Sequence, residues 1–205
     1  MSEPCRLGIL ISGSGTNMEN IAVEIEERGL RARIAVVISD KEDAYGLVRA
    51  NKHGLQAVFL DPASFPDRAA YDRELVRVLE ENGVSLVVLA GYMRLVGPEF
   101  VQAFRNRIMN IHPALLPSFP GTSGVPDALA YGVKVTGVTV HFVDEGLDTG
   151  PIILQESVPV LPGDDEEGLH NRIHAVEYRV YPQAIRHFCD NRLRVEGRHV
   201  HIEEG

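Results

Sequence analysis

Three near-continuous hydrophobic runs, separated by helical patterns, constrain the fold of this chain more than any other feature of its sequence. The runs are RLGILIS (6–12), ARIAVVIS (32–39) and VSLVVLAG (84–91). Unbroken apolar strands are typical of parallel sheets that are covered by helices on both faces. The other segments have apolar residues at three-to-four spacing and end on glycine, a helix C-cap signal. They are residues 17–29, 43–54 and 67–83. The sequence therefore predicts an α/β fold with an open, mostly parallel, twisted sheet flanked by helices.

The pattern changes in the second part of the chain. Residues 134–144 and 151–160 alternate apolar and polar side chains, which favours an antiparallel addition to the sheet. A long helical pattern covers residues 164–191, and the tail after it has the pattern of a hairpin. Since no linker is visible, we expect one domain over residues 1–205, with an N-terminal half (1–112) and a C-terminal half (113–205).

Composition and charge exclude several classes of protein. The 205 residues are 44% hydrophobic and carry a formal net charge of −9, without any block of lysine or arginine. Nucleic-acid binding rests on clustered basic side chains, so we expect no nucleic-acid partner. No apolar stretch has the length of a signal peptide or a membrane span, and Cys5 and Cys189 lack CxxC spacing. The expectation is a cytoplasmic protein with free thiols and no membrane partner.

A glycine-rich turn, LISGSGTN (10–17), connects the first predicted strand to the first predicted helix. Glycines allow a tight turn, and a helix N-terminus offers free N–H groups and a partial positive charge. No Walker A lysine follows, and Met18 stands where a dinucleotide-binding motif needs its third glycine. The turn therefore predicts an anion site, most often for phosphate. The alternative is a tight turn that binds nothing.

A polar pair interrupts the apolar run NRIMNIHP (106–113). In a strand, residues i and i+2 share a face, so Asn110 and His112 point the same way. Pro113 cannot donate to a ladder, which places the pair at a strand tip, where open α/β sheets bind ligands. A protonated histidine and an asparagine amide are two donors that can hold a developing oxyanion. The alternative is a buried polar pair that is hydrogen-bonded to loops.

The loop DEGLDTGP (144–151) contains three acids within five residues. Such a loop is ordinarily a solvated hairpin turn. One of the three, Asp144, Glu145 or Asp148, can instead orient a histidine and raise its pKa, because a nearby carboxylate favours the imidazolium form. Spacing alone does not choose among them.

The remaining histidines do not predict a metal site. His170 and His174 lie four apart on a predicted helix, but their segment lacks the glutamate of a zinc-binding HExxH helix. His199 and His201 share a face of a predicted strand, and no third ligand converges on either pair in the sequence. We expect no metal.

Several segments, taken in order, resemble the phosphoribosylglycinamide formyltransferase family. They are LISGSGTN (10–17), VVLAGYMRLV (87–96), MNIHPALLPSFPG (109–121), VTVHFVDEGLDTGPII (138–153) and the helix around Glu177. The resemblance covers nearly the whole chain and implies the Rossmann-like formyltransferase fold. It also implies transfer of a formyl group from the cosubstrate 10-formyltetrahydrofolate to the amine of glycinamide ribonucleotide, in purine biosynthesis and without a metal.

The resemblance implies roles for individual residues. It makes Asn110, His112 and Asp148 the catalytic trio, and we expect Asp148 to raise the pKa of His112 and keep the ring charged. The implied ribonucleotide residues are Gly15, Thr16, Asn17 and Glu177. The implied folate residues are Arg68, Met93, Arg94, Leu95, Val96, Asn110, Asp144, Glu145, Gly146, Leu147 and Asp148. The N-terminal half would then bind phosphate and the C-terminal half would carry the folate loop. The partners would be these two small molecules, and the protein would be a monomer or a homodimer.

Three alternatives are weighed against this function. Methionyl-tRNA formyltransferase is similar at the catalytic strand, but its extra C-terminal domain and basic surface are not expected in a 205-residue chain of charge −9. Formyltetrahydrofolate deformylase has an N-terminal regulatory domain and a second histidine after the catalytic one, where this chain has Pro113. A non-catalytic nucleotide-binding sensor is disfavoured because all three chemical residues are present.

Overall fold

The computed structural model describes residues 3–204, which divide into two compact units, residues 3–109 and 110–204. Within the described residues, no helix is both long and apolar enough to span a membrane.

The first unit is a parallel sheet with helices between its strands. The strands are β1 (Cys5–Ile11), β2 (Ala32–Ser39), β3 (Ala57–Phe59) and β4 (Leu86–Leu89). The helices are α1 (Thr16–Glu27), α2 (Tyr45–Lys52), α3 (Arg68–Glu81) and α4 (Pro98–Ala103). The strand order is β3-β2-β1-β4, and each of its neighbouring pairs is parallel. The predicted parallel sheet is confirmed.

The core of the first unit lies along its central strands. Ile9 of β1, Val37 of β2 and Val88 of β4 have no exposed surface. Burying one such side chain stabilises the fold by about 1.5–3 kcal/mol. Helices that cover both faces of continuous apolar strands therefore add substantially to stability. Glycine follows the helices as predicted: Gly29 after α1 has φ 70° and Gly54 after α2 has φ 64°, a left-handed conformation that terminates helices.

The second unit follows a different plan. Its elements are β5 (Ile108–His112), which begins at the end of the first unit, α5 (Gly124–Tyr131), β6 (Val135–Phe142), β7 (Ile152–Pro159), α6 (Glu166–Cys189), β8 (Leu193–Glu196) and β9 (His199–Ile202). The strand order is β5-β6-β7-β9-β8. The β6–β7 and β8–β9 pairs are antiparallel, which confirms the predicted antiparallel addition and the final hairpin.

Helix α5 was not predicted, because its sequence GVPDALAY is rich in turn residues. Its proline, Pro126, is the third residue of the helix, where a missing N–H and a fixed φ cost little. The helix ends at Tyr131, and Gly132 follows with φ 80°. The segment is therefore an ordered part of the second unit and not the loop that its composition indicates.

Candidate active site

Asn110 and His112 lie at the end of β5, as predicted. The apolar residues of this strand, Ile108, Met109 and Ile111, are buried, and Asn110 is half-buried. His112 is the last residue of the strand and is 3% exposed. Such a buried polar side chain needs partners, because burying it alone costs free energy.

Both ring nitrogens of His112 have acceptors near them. Nε2 lies 2.7 Å from the carbonyl oxygen of Phe119. A carbonyl only accepts, so Nε2 carries the hydrogen and donates it. Nδ1 lies 3.6 Å from Oδ2 of Asp148. The first residue of α5, Gly124, packs against the ring, and a Cβ there would lie 3.4 Å from Nε2. The unpredicted helix thus forms one wall of the site.

Asp148 is turned inward by an unusual backbone conformation. Its φ is 53°, a left-handed value that aspartate tolerates better than most residues. Its Oδ2 accepts a hydrogen bond from the Gly121 N–H at 2.7 Å. Burial raises the pKa of Asp148, but the His141 ring, the Gly121 N–H and the attraction of His112 when its ring is protonated outweigh burial, so the pKa lies below its usual value. Asp148 is therefore an anion facing two imidazoles.

The pKa of His112 lies below the usual histidine value, so the expected rise is wrong. Burial disfavours the charged ring and is the largest influence on this pKa. The Asp148 carboxylate and the Phe119 carbonyl raise the pKa, as predicted for a carboxylate, and His141 lowers it further. At neutral pH the resting ring is neutral, and Asp148 makes its protonation less costly without making it complete.

His141 belongs to this cluster and was not predicted. It lies in β6 with 2% exposure. Its Nδ1 is 2.8 Å from the Phe142 carbonyl oxygen, so this nitrogen donates. Its Nε2 is 3.2 Å from the Asn110 amide nitrogen and 3.7 Å from Asp148 Oδ1. A neutral ring accepts from the amide, and a protonated ring faces the carboxylate. Residues 134–144 alternate apolar and polar side chains, so the sequence does not distinguish His141 from the other polar residues of this strand.

The second unit therefore brings the predicted trio together. An amide, an imidazole and a carboxylate lie around one strand tip, with a second imidazole against two of them. The N–H groups of Asn110 and His112 can stabilise negative charge on a substrate oxygen, provided that the His112 N–H leaves the Phe119 carbonyl. The anionic Asp148 can stabilise an imidazolium that forms during the reaction.

The predicted anion loop of the first unit is built from backbone. Gly15 is the N-cap of α1 with φ 72° and makes no side-chain cap hydrogen bond. The first-turn N–H groups of a helix have no acceptor within the helix. Gly46 of α2 packs against the loop so closely that a Cβ on Gly15 would lie 2.5 Å from the Gly46 Cα. Arg49 donates to the Ser14 carbonyl oxygen at 3.0 Å and pairs with Glu19, so a cation and its counter-ion lie beside the loop.

The predicted folate residues of the first unit form an exposed apolar segment after β4. Met93 is 64% and Leu95 is 61% exposed. Arg94 lies over the ring of Tyr71, with its Cζ 5.3 Å from the ring centroid. Arg68 lies beside Gly97, the residue that follows the segment, since a Cβ on Gly97 would be 3.6 Å from its guanidinium. The first unit thus places both predicted arginines at the Met93–Val96 segment.

The predicted loop of the second unit, residues 144–148, is organised by its first acid. Asp144 Oδ1 accepts from the Gly146 N–H at 3.1 Å and from the Thr149 hydroxyl at 2.6 Å. Leu147 is 49% exposed at the tip, and Asp148 turns back inward. Asp144 therefore shapes the loop, and Asp148 is the acid that reaches the histidine.

Glu177 is buried in α6 beside a pair of histidines. Its Oε2 lies 3.7 Å from Nε2 of His174, whose Nε2 is 2.8 Å from Nε2 of His170. Burial lowers the pKa of both rings. Across residues 3–204, no group of three or more histidine, cysteine or acidic side chains is arranged to hold a metal ion.

Comparison with known proteins assigns the chain to a family. A profile of the formyl transferase family matches residues 5–185. The chain belongs to the formyl transferase family. A solved structure of glycinamide ribonucleotide transformylase 1 from Symbiobacterium toebii is 54% identical, with a TM-score of 0.98, over 100% of this chain and 96% of that one. The phosphoribosylglycinamide formyltransferase of Mycobacterium tuberculosis is 44% identical over 96% of this chain and 91% of its own length. The predicted family and fold class are confirmed.

Some relatives in this formyl transferase family are much longer. The trifunctional purine biosynthetic protein adenosine-3 of Drosophila pseudoobscura pseudoobscura is 44% identical over 92% of this chain. The chain spans 14% of the length of that relative. The similarity therefore concerns one part of the trifunctional protein.

Proposed function

We propose that this member of the formyl transferase family transfers the formyl group of 10-formyltetrahydrofolate to the amine of N1-(5-phospho-D-ribosyl)glycinamide. The products are formylglycinamide ribonucleotide and tetrahydrofolate, in de novo purine biosynthesis. The observation that carries the proposal is the cluster of Asn110, His112 and Asp148 around the tip of β5. Relatives that are named for this activity support it.

The chemistry of the reaction suits this cluster. The amine nitrogen of the ribonucleotide attacks the formyl carbon, and an electron pair moves onto the formyl oxygen. Collapse of that adduct breaks the bond to N10 of the folate, which takes up the proton that the amine loses. The Asn110 amide and the His112 N–H would stabilise the oxyanion, and Asp148 would stabilise the imidazolium as charge develops.

The two ligands need different surroundings. For the ribonucleotide, the phosphate would bind the first-turn N–H groups of α1, at Gly15, Thr16 and Asn17, because a helix N-terminus favours an anion. Glu177 would accept hydrogen bonds from the ribose and amine side. The proposed folate residues are Arg68, Met93, Arg94, Leu95, Val96, Asn110, Asp144, Glu145, Gly146, Leu147 and Asp148.

Residues 1–205 would act as one formyltransferase domain, with a phosphate-binding half (1–112) and a folate-loop half (113–205). The protein would work in the cytoplasm as a monomer or a homodimer, with these two small molecules as its partners.

A formyl-transfer assay tests the proposed function. The purified protein is mixed with 10-formyltetrahydrofolate, with and without the ribonucleotide, and tetrahydrofolate, formylated ribonucleotide and formate are measured. We expect tetrahydrofolate to form only with the ribonucleotide and in equal amount to the formylated product. Formate release without ribonucleotide would instead indicate a hydrolase, and no turnover of either kind would overturn the proposal.

A further inference from the structure

The exposed segment Met93–Val96 is anchored at both ends by consecutive residues of α3. The segment follows β4, and its apolar side chains Met93 and Leu95 are mostly exposed. An exposed loop has few buried apolar contacts, so its own packing does not hold it in one conformation. Its flanking residues, Tyr92 and Gly97, are both bonded to α3.

The first anchor is a pair of buried tyrosines. The Tyr71 and Tyr92 hydroxyl oxygens lie 3.1 Å apart. Burial raises the pKa of Tyr71 and of Tyr92, and the charge of Asp40 raises both further. Both hydroxyls therefore keep their protons, so one donates to the other. This bond fixes the N-terminal end of the segment together with the hydrogen bond that the Met93 N–H donates to the Ser12 hydroxyl at 2.9 Å.

The second anchor is the carboxylate of Asp72, the residue after Tyr71. Its Oδ2 accepts from the Gly97 N–H at 2.7 Å, and the side chain is buried. The approach is so close that a Cβ on Gly97 would lie 2.6 Å from that oxygen. Burial raises the pKa of Asp72, and the Gly97 N–H and the charges of Arg68 and Arg94 oppose that rise. This bond fixes the C-terminal end of the segment.

Tyr71 and Asp72 also interact with the arginines of the site. Arg94 lies over the Tyr71 ring at 5.3 Å, a cation–π distance. The charges of Arg68 and Arg94 both act on the Asp72 carboxylate. Tyr71 therefore contacts the Arg94 guanidinium of the segment, and the adjacent Asp72 holds the backbone at its C-terminal end.

We propose that Tyr71 and Asp72 are positioning residues, which hold Met93–Val96 in the shape that binds the formyl donor. The inference rests on the proposed function, in which this segment contacts the folate. An apolar pair beside two arginines suits a ligand with a flat ring and a carboxylate, as a folate has. The two residues act through the segment and need not touch the ligand.

Asp72→Ala tests the second anchor. We expect the KM for 10-formyltetrahydrofolate to rise by about tenfold, as for a lost hydrogen bond to a charged acceptor, with kcat and the ribonucleotide KM within about twofold of the wild-type values. Amide hydrogen exchange of Met93–Val96 should become faster in the protein without ligands. Asp72→Asn retains an acceptor oxygen of similar shape, so it should restore most of the lost affinity.

Tyr71→Phe and Tyr92→Phe test the first anchor with little risk to folding. Each removes one hydroxyl from the same bond, so both should raise the folate KM by a similar factor of about five. The double variant should be no worse than either single one, because the bond is already lost. Additive effects would show that the two hydroxyls act separately.

Asp67→Ala is the matched control. Asp67 is the N-cap of α3, and its Oδ1 accepts from the Ala70 N–H at 2.7 Å. This variant removes the same kind of bond from the same helix, so it should lower stability without changing the folate KM. A similar rise of the folate KM in Asp67→Ala and Asp72→Ala would mean that α3 stability alone is responsible.

Calorimetry with tetrahydrofolate separates this inference from the proposed function. Wild-type protein that binds no tetrahydrofolate would overturn the proposed function. Wild-type protein that binds it, together with Asp72→Ala and Tyr71→Phe proteins that bind it equally well, would overturn only the positioning role.

Discussion

The anion loop of the first unit is formed by backbone groups, whereas the cluster at the tip of β5 is formed by side chains. The loop around Gly15 consists of backbone N–H groups, and its shape depends on a left-handed glycine packed on Gly46. The cluster around His112 consists of side chains, of which the ionisable His112 and Asp148 are almost fully buried and the Asn110 amide is half-buried. A backbone site is sensitive to sterics and insensitive to pH, whereas a buried side-chain site is sensitive to both charge and protonation.

The largest effect should follow from removing a donor from the cluster. Asn110→Ala and His112→Ala should each lower kcat by about 10²–10³ with a modest change in KM, because an oxyanion donor stabilises the transition state more than the ground state. Steady-state kinetics of formyl transfer measure both constants. His199→Ala, which changes an exposed histidine of β9, is the control. A near-normal kcat in either site variant would contradict the assigned roles.

Removing the charge of the cluster should have the next largest effect. Asp148→Asn keeps the shape and should lower kcat by roughly 10²-fold, less than loss of the imidazole. The carboxylate raises the pKa of His112 against burial, so this variant should lower that pKa further. NMR titration of the ring measures the shift. An unchanged His112 titration would contradict the proposed role of Asp148 even if activity fell.

A steric change in the loop should affect only one ligand. Gly15→Ala places an alanine at a left-handed φ, which costs about 1–2 kcal/mol. The new Cβ would also lie 2.5 Å from the Gly46 Cα. We expect the ribonucleotide KM to rise by about tenfold or more and the folate KM to stay unchanged.

Gly29→Ala is the matched control for the loop. Gly29 has φ 70°, but a Cβ there meets no atom within 4 Å. Gly29→Ala should carry the same backbone cost without the steric clash, and it should leave both KM values unchanged. If both glycine variants weaken the two ligands equally, the loop is not the phosphate site.

The smallest effect concerns the pH dependence of stability. Burial lowers the pKa of His112 and of His174. As pH falls below about 6.5, these histidines bind protons in the unfolded chain before they do so in the folded chain. The free energy of unfolding should therefore decrease from pH 7 to pH 5, by at most about 1.4 kcal/mol per pH unit for each histidine. Urea unfolding at several pH values measures this slope. His112→Gln should make it shallower, whereas Gly15→Ala should not change it.

Local periodicity was sufficient to predict most of the fold. Continuous apolar runs predicted the parallel strands, and the i, i+2 relation placed Asn110 and His112 on one face of a strand tip. Boundaries were less certain: the run over residues 84–91 yields only Leu86–Leu89 as strand. Helix α5 was missed because proline and glycine occupy its first turn, where a helix tolerates both.

The site was only partly predictable, because its missing members depend on tertiary structure. The contact of His141 with Asn110 depends on how β5 and β6 lie side by side, which strand patterns alone do not define. The Phe119 carbonyl at His112 depends on the path of a loop. The pKa of His112 is lowered because burial outweighs the nearby charge of Asp148, and the sequence indicated only that charge.

The last strand in the order of the second unit, β8, has a consequence for self-association. An unpaired strand edge is a template for pairing with another molecule, and short, charged edges prevent such pairing. β8 has four residues, and its exposed Arg194 pairs with Glu196 and lies 3.3 Å from Glu203. This outer edge therefore exposes few unpaired backbone N–H and C=O groups to other copies of the chain and carries several charges. Both features protect concentrated protein from edge-to-edge aggregation.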